Sequence, residues 1–225
     1  MDIGGLTIPP TSLLTALLYG FAHHPKVIAK EYYFWRICDE LWNHEDLPEP
    51  MMVRHPWAEQ MIRAALNNKY LSIGGSASSG KSHTMAAWGI VNWLSQPRDT
   101  LVLMTSTTLR EARKRIWGSV MSLLSVIDGA PIKIRDSIGN AAYVDEKETL
   151  IERAGLSLIA AEKQKTRDAV GKFIGLKQKR VILIGDELAE LSEAIVNAGL
   201  TNLSKNPFFQ MIGMSNPNSR FDAFG

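Results

Sequence analysis

The sequence predicts an α/β fold: a mainly parallel β-sheet with helices on both faces, preceded by a small helical N-terminal region. Three observations predict it. Short, continuously apolar runs (LVLMTS from Leu101, VILIG from Val181, FFQMIGMS from Phe208) have the length and content of buried strands. Longer segments between them carry apolar residues at three- and four-residue spacing, the mark of helices with one buried face. A glycine- and serine-rich turn, GGSASSGKS from Gly74, joins a short β run to a helix. Strands that alternate with helices must pair in parallel, because each crossover brings the chain back to the same edge.

The elements follow in order. Residues 11–24 and 25–42 read as two helices, the second with Pro25 at its start, where a helix tolerates proline. The polar stretch NHEDLPEP from Asn43 is a connector. Residues 56–68 are helical, KYLSI from Lys69 is a strand that feeds the glycine turn, and a helix runs from Lys81 to about Ser95. Residues 99–106 are a buried strand and residues 108–127 an amphipathic helix. Residues 131–160 contain short alternating runs (AAYV, TLIE, LSLIA) and read as a β excursion. A basic stretch, 163–180, leads into the strand VILIG; a helix is expected from about Asp186 to Ala198, then the last strand. We divide the chain into residues 1–50, the helical region, and 51–225, the α/β core.

At 225 residues the chain can bury a core without disulfides. The single Cys38 has no partner for an internal disulfide or a zinc site, which fits a reducing compartment. The longest N-terminal apolar run, LLTALLYGF from Leu13, is too short to span a membrane, and the start MDIGG has no basic leader region, so an intracellular protein is expected. A net charge of +2 does not by itself announce nucleic acid.

The chemistry is concentrated in a few places. Residues 75–82 fit G-x-x-x-x-G-K-[ST]: Gly75, Ser76, Ala77, Ser78, Ser79, Gly80, Lys81 and Ser82. The glycines let the backbone curl so that successive N–H groups face phosphate oxygens, and the helix that follows adds its positive end. Lys81 can reach the β- and γ-phosphates, and the Ser82 hydroxyl can ligate magnesium. Asp186 and Glu187 follow VILIG at the carboxyl end of a central strand, where α/β sheets place ligands. Asp186 suits a magnesium ion and Glu187 suits the polarisation of an attacking water. Without the glycine turn, the pair could simply begin the next helix. Beside it, the glutamate favours hydrolysis of ATP over mere binding.

Ser215 and Asn216 end the last strand and can hydrogen-bond a γ-phosphate or its water; an ordinary Asn-Pro turn is the alternative. Gln60 can pair with the adenine edge, or be a solvated helix residue. Arg110, Arg113 and Arg115, with Lys114, either lie on an exposed basic face or supply a charge to a neighbouring subunit's site, as ring ATPases do. The tract 163–180 either tracks a phosphate backbone or is a solvated connector.

Taken in order, Gln60, residues 75–82, Asp186-Glu187 and Ser215-Asn216-Pro217 resemble the ATPase domain of the large terminase subunit of tailed bacteriophages, over about residues 56–224. The resemblance implies an ASCE-type P-loop (RecA-like) sheet in which the Ser215 strand lies between the phosphate-loop and acidic strands. It implies ATP and Mg2+ as ligands, Lys81 and Ser82 on phosphate and metal, Asp186 on the metal, Glu187 as catalytic base, Ser215 and Asn216 in coupling, and Gln60 on adenine. It further implies double-stranded DNA, the portal protein and the small terminase subunit as partners, a homo-oligomeric ring, and a place in the host cytoplasm at the procapsid portal, with no membrane. Two departures stand out. The family often carries an arginine inside the phosphate loop, where Ala77 and serines stand here. Family members also continue into an RNase H-like nuclease, so this chain is expected to be a fragment. The alternatives are a helicase or replication-initiator ATPase on the same core, or a nucleotide-dependent binding module without turnover.

Overall fold

A computed structural model describes residues 12–76, 78–127, 132–144, 153–160, 178–188 and 206–216, together with Asn197, Leu200 and Thr201. Two helices open the chain, α1 (Ser12–His23) and α2 (Val27–Trp42). Helix α2 starts two residues later than the proline suggests. Lys26 is extended (φ −89°, ψ 127°) and acts as the N-cap, and its N–H donates to His24 Nδ1 at 3.1 Å, so Pro25 belongs to the turn. Pro56 does begin α3 (Pro56–Asn67), where His55 Nδ1 accepts the Ala58 N–H at 3.2 Å.

Strand β1 (Tyr70–Gly74) then enters the glycine turn and α4 (Lys81–Ser95) leaves it. Helix α4 has almost no polar face, and from Thr84 to Ser95 every residue is buried. Such a helix must be covered on all sides. The sheet lies under it, and α1, α2 and α3 lie over it. Gly89 sets its height, because a β-carbon there would stand 3.0 Å from Met104 Cε and 3.1 Å from Val102 Cγ1. On the outer side, Phe21 and Phe34 pack their rings on Trp88 at 5.8 and 5.9 Å. Arg63 of α3 makes a two-point ion pair with Glu31 of α2, at 2.7 and 3.0 Å.

Strand β2 (Thr100–Ser106) is buried throughout. The next helical segment is not uniform: α5 (Leu109–Ala112) passes through a π-helical turn (Arg113–Trp117) into α6 (Gly118–Leu124). Beyond it come β3 (Ile132–Arg135), a 3-10 turn (Asp136–Ile138), β4 (Asn140–Tyr143) and β5 (Gly155–Ala160). Among the described residues β3 and β4 form an antiparallel excursion, and β4 pairs antiparallel with β5. Strand β5 joins the main sheet, in parallel with β2 from Leu101↔Gly155 to Ser106↔Ala160. Its LSLIA run is too apolar for an edge hairpin and goes where both faces are covered. The TLIE run lies outside the described residues.

Strands β6 (Arg180–Asp186) and β7 (Phe209–Ser215) complete the sheet, whose order is β1-β7-β6-β2-β5-β4-β3. The last strand therefore inserts between the strand that feeds the glycine turn and the acidic strand, as the ASCE order requires. One apolar cluster fills the space between sheet and helices. A second, on the opposite face, gathers Leu103, Leu183, Phe209 and Met211 with Leu188, and Leu200 packs against it. Asp186 is the last residue of β6 rather than the first of a helix. Most of the helix expected after it, and the basic tract up to residue 177, lie outside the described residues.

Candidate functional site at the carboxyl ends of the strands

The glycine turn, the tip of β6 and the end of β7 meet at one end of the sheet. Ser78 (φ 61°) and Gly80 (φ 79°) lie in the left-handed region, and the loop curls back around Lys81. A β-carbon at Gly80 would meet nothing within 4 Å, so the need for glycine there is conformational. Lys81 Nζ donates to the Gly75 carbonyl (2.6 Å) and the Ser76 carbonyl (2.8 Å), and to Ser79 Oγ and Asn216 Oδ1 (both 3.3 Å). The lysine thus ties the loop to the end of β7. Ala77 lies outside the described residues.

Ser82 Oγ donates to Asp186 Oδ2 at 3.2 Å, which joins the first turn of α4 to the acidic strand. Asp186 is 3% exposed. Burial first, and the neighbouring Glu187 second, push its carboxyl above the ordinary range, while the Ser82 hydroxyl, Arg115 and a backbone N–H pull it back. A buried carboxylate beside a second one is suited to a cation. Glu187 takes φ 55°, an uncommon conformation for a residue with a side chain. Strain of this kind gathers at functional sites. It is held in part from below. Leu188 lies so close over Gly213 of β7 that a β-carbon there would come within 2.2 Å of Leu188 Cδ2.

Arg115, in the π-helical turn, donates to Glu187 Oε1 and also meets Glu111 at 3.5 Å. A π turn shifts the side chains after it around the helix, and such turns recur at functional sites. Arg115 therefore faces Glu187 of its own chain. The other two arginines do not reach this place. Arg110 is exposed, and Arg113 donates to the Ser137 carbonyl of the 3-10 turn.

These groups line a cleft of about 520 Å3: the loop residues Ser78, Ser79, Gly80, Lys81 and Ser82, then Arg115, Asp186, Glu187 and Asn216. His83 and Ser119 line it as well, unforeseen from the sequence. Helical spacing could have found Ser119, which lies one turn beyond Arg115 and donates to its carbonyl at 3.3 Å. His83 adjoins the loop motif and contacts the Met51 carbonyl through Nε2 at 2.8 Å. Gly75 and Ser76 contribute carbonyls to Lys81 from below. Ser215 is buried and its Oγ donates to the Asn216 carbonyl at 3.4 Å, so only Asn216 of that pair lines the cleft. Gln60 is exposed on α3 and does not line it.

The donor set fits magnesium. Ser82 and Asp186 offer hard oxygen atoms side by side, and no group of three or more His, Cys, Asp or Glu side chains that could hold a metal occurs among the described residues. Magnesium commonly takes one or two protein oxygens and fills its sphere with phosphate and water. No helix among the described residues is long and apolar enough to cross a membrane.

The sheet order and the loop between β1 and α4 define the fold as that of a P-loop nucleoside triphosphatase. Within that class, the chain is similar to the ATPase domains of phage large terminases. Against the large terminase ATPase domain of Thermus phage P74-26, in a single-residue mutant form, the TM-score is 0.56 at 16% identity, over 84% of this chain and 71% of that one. A second structure of that ATPase domain gives 0.52 at 15%, over 82% and 69%. The large terminase of a thermophilic bacteriophage, in complex with ADP, gives 0.51 at 16% over 67% of this chain and 34% of its own, so this chain spans about a third of that protein. No protein-family model matches the sequence, and no curated protein does. The likeness is one of fold.

Proposed function

We propose that this chain is the ATPase region of a tailed-phage large terminase, which hydrolyses ATP to drive double-stranded viral DNA into a procapsid. The observation that carries the reading is the convergence of Lys81, Ser82, Asp186 and Glu187 in one cleft, with Ser82 and Asp186 in contact. The terminase structure that holds ADP supports an adenine nucleotide as the ligand.

The curled loop and the N-terminus of α4 would bind the β- and γ-phosphates through backbone N–H groups. Lys81 would exchange its carbonyl partners for phosphate oxygens. Ser82 and Asp186 would hold Mg2+, which supplies charge neutralisation at the phosphates when bound. Glu187, about a quarter exposed at the cleft wall, would accept a proton from the attacking water. To do so it must leave Arg115, whose guanidinium is then free for the developing phosphate charge. Arg115 would so fill in cis the role that a loop arginine has in the family. Asn216, bonded to Lys81, would carry the change at the γ-phosphate into β7. The partners are those of a packaging motor: duplex DNA, the portal, the small terminase subunit and further copies of this chain in a ring at the procapsid, in the host cytoplasm.

The test compares Glu187→Gln with the parent chain. Glu187→Gln is expected to bind ATP as the parent does and to lose hydrolysis by roughly 10²- to 10⁴-fold, the usual worth of a positioned base. A parent that takes up no adenine nucleotide in a calorimetric titration would end the proposal.

A further inference from the structure

A second cavity, of about 330 Å3, lies at the other end of the sheet, under the amino ends of β6 and β7. Its walls come from α1, α2, the end of α3 and the second half of α4. Asn92 lies there, eleven residues along α4 from Lys81, or about 16 Å by helix rise. The two cavities are separate.

Three cations line this cavity: Lys30 and Arg180, both partly buried, and the exposed Lys69, whose Nζ donates to the Asn206 carbonyl at 3.3 Å. Arg180 donates from Nη1 to Gln96 Oε1 (3.0 Å) and Thr100 Oγ1 (3.3 Å), and from Nη2 to Asn92 Oδ1 (2.9 Å). All three acceptors are neutral. Among the described residues its Nε–H and one Nη2 hydrogen have no partner. Lys30 Nζ donates to the Ala22 carbonyl at 3.3 Å, its one hydrogen bond among the described residues. Among the described residues neither Lys30 nor Arg180 forms an ion pair with a carboxylate. Asp99, whose charge favours the protonated Arg180, is engaged by Lys179 at 3.1 Å and does not line the cavity. Burial and mutual repulsion act against the charge on Lys30, and burial against that on Arg180, so both basicities fall. Bringing two like charges into a half-buried space costs free energy unless an anion joins them. The remaining walls mix apolar and amide side chains: Leu66 and Ile182 inside, Asn67, Asn68 and Gln210 beside them, and Phe208, 56% exposed, at the rim.

We propose that this cavity is a second anion-binding site, with Lys30 and Arg180 holding the phosphate of a small ester whose flat body lies against Phe208 and Leu66. A guanidinium fork beside an ammonium matches a tetrahedral oxyanion, and the volume is at the small end of ligand sites, enough for a mononucleotide or a terminal nucleotide. The inference does not rest on the ATPase reading, since no residue of the first cleft takes part.

The test uses Lys81→Ala, which disables the first cleft, and calorimetry at low salt with three probes: inorganic phosphate, AMP and a short 5′-phosphorylated oligonucleotide. One equivalent of AMP is expected to bind to Lys81→Ala. Adding Lys30→Gln should weaken it tenfold or more, whereas Lys30→Arg should retain it. Lys30→Gln leaves the Arg180 bonds intact, and a thermal melt checks the fold. If the oligonucleotide binds more tightly than AMP, the phosphate belongs to a strand end; if not, to a free nucleotide. No AMP binding by Lys81→Ala, or equal binding with Lys30→Gln, overturns the site. Inorganic phosphate binding as tightly as AMP overturns the flat body.

Discussion

Gly213→Ala probes how the acidic turn is held, because Gly213 lies beneath the residue that follows Glu187. Its backbone is not in the left-handed region, so alanine is conformationally permitted and the effect is steric. The new methyl would lie 2.2 Å from Leu188 Cδ2 and 3.3 Å from its Cγ. Carbon atoms rest at about 3.5–4.0 Å, so the δ-methyl must retreat by more than ~1 Å. Strand β7 cannot step back, being paired on both sides, with Ser72 of β1 and Gly185 of β6. Leu188 itself is enclosed by the second apolar cluster. Overpacking of this kind costs ~1–3 kcal/mol. For a chain of this size that lowers Tm by roughly 2–12 °C. Leu188→Ala alone should cost ~2–5 kcal/mol through the cavity it leaves. In the double variant the methyl introduced at position 213 enters that space, so the losses should fall short of additivity by ~1–3 kcal/mol. Urea unfolding of the four chains measures the cycle. ATP hydrolysis should fall in Gly213→Ala at temperatures where the chain is still folded, because a displaced Leu188 moves Glu187. A Gly213→Ala chain that matches the parent in stability, or two losses that add within ~0.5 kcal/mol, would show that Leu188 is not held against Gly213.

Arg115→Ala should reduce ATP hydrolysis on the order of 10²-fold, the scale for one charge-stabilising donor, while Arg110→Ala, exposed and outside the cleft, should leave it unchanged; equal effects in steady-state assays would refute the cis role. Asp186→Asn should raise Tm at pH 7 in the presence of chelator, since burial and Glu187 make the ionised carboxylate costly in the folded chain. With the folded pKa above the ordinary 3.8, that cost is complete above the raised value and disappears as pH falls through it toward 3.8, so the two melting curves should converge in acid. A lower Tm for Asp186→Asn at pH 7 would contradict the account.

Most of the strands and the phosphate loop were legible because their signals are local. Short apolar runs, a glycine turn before a helix, and Pro56 at a helix start each follow from the preferences of neighbouring residues. The π-helical turn was not legible. Residues 108–127 keep a helical apolar pattern, and one extra residue per turn leaves no mark in composition. For the same reason the three arginines looked alike from sequence. Only the turn sends Arg115 to Glu187 while Arg113 goes to Ser137.

The sequence by itself determined the groups that can grip a phosphate chain and the order in which strands and helices are made, since both depend on residues close together in the chain. The tertiary structure decided which of those groups meet. Lys81 and Asn216 are 135 positions apart and Ser82 and Asp186 are 104 apart, and they touch only because β7 slots between β1 and β6. Long-range packing likewise gathered Lys30 of α2 and Arg180 of β6 at the opposite end of the sheet. Sheet order arises from burial of both faces across the whole chain, and no local pattern encodes it.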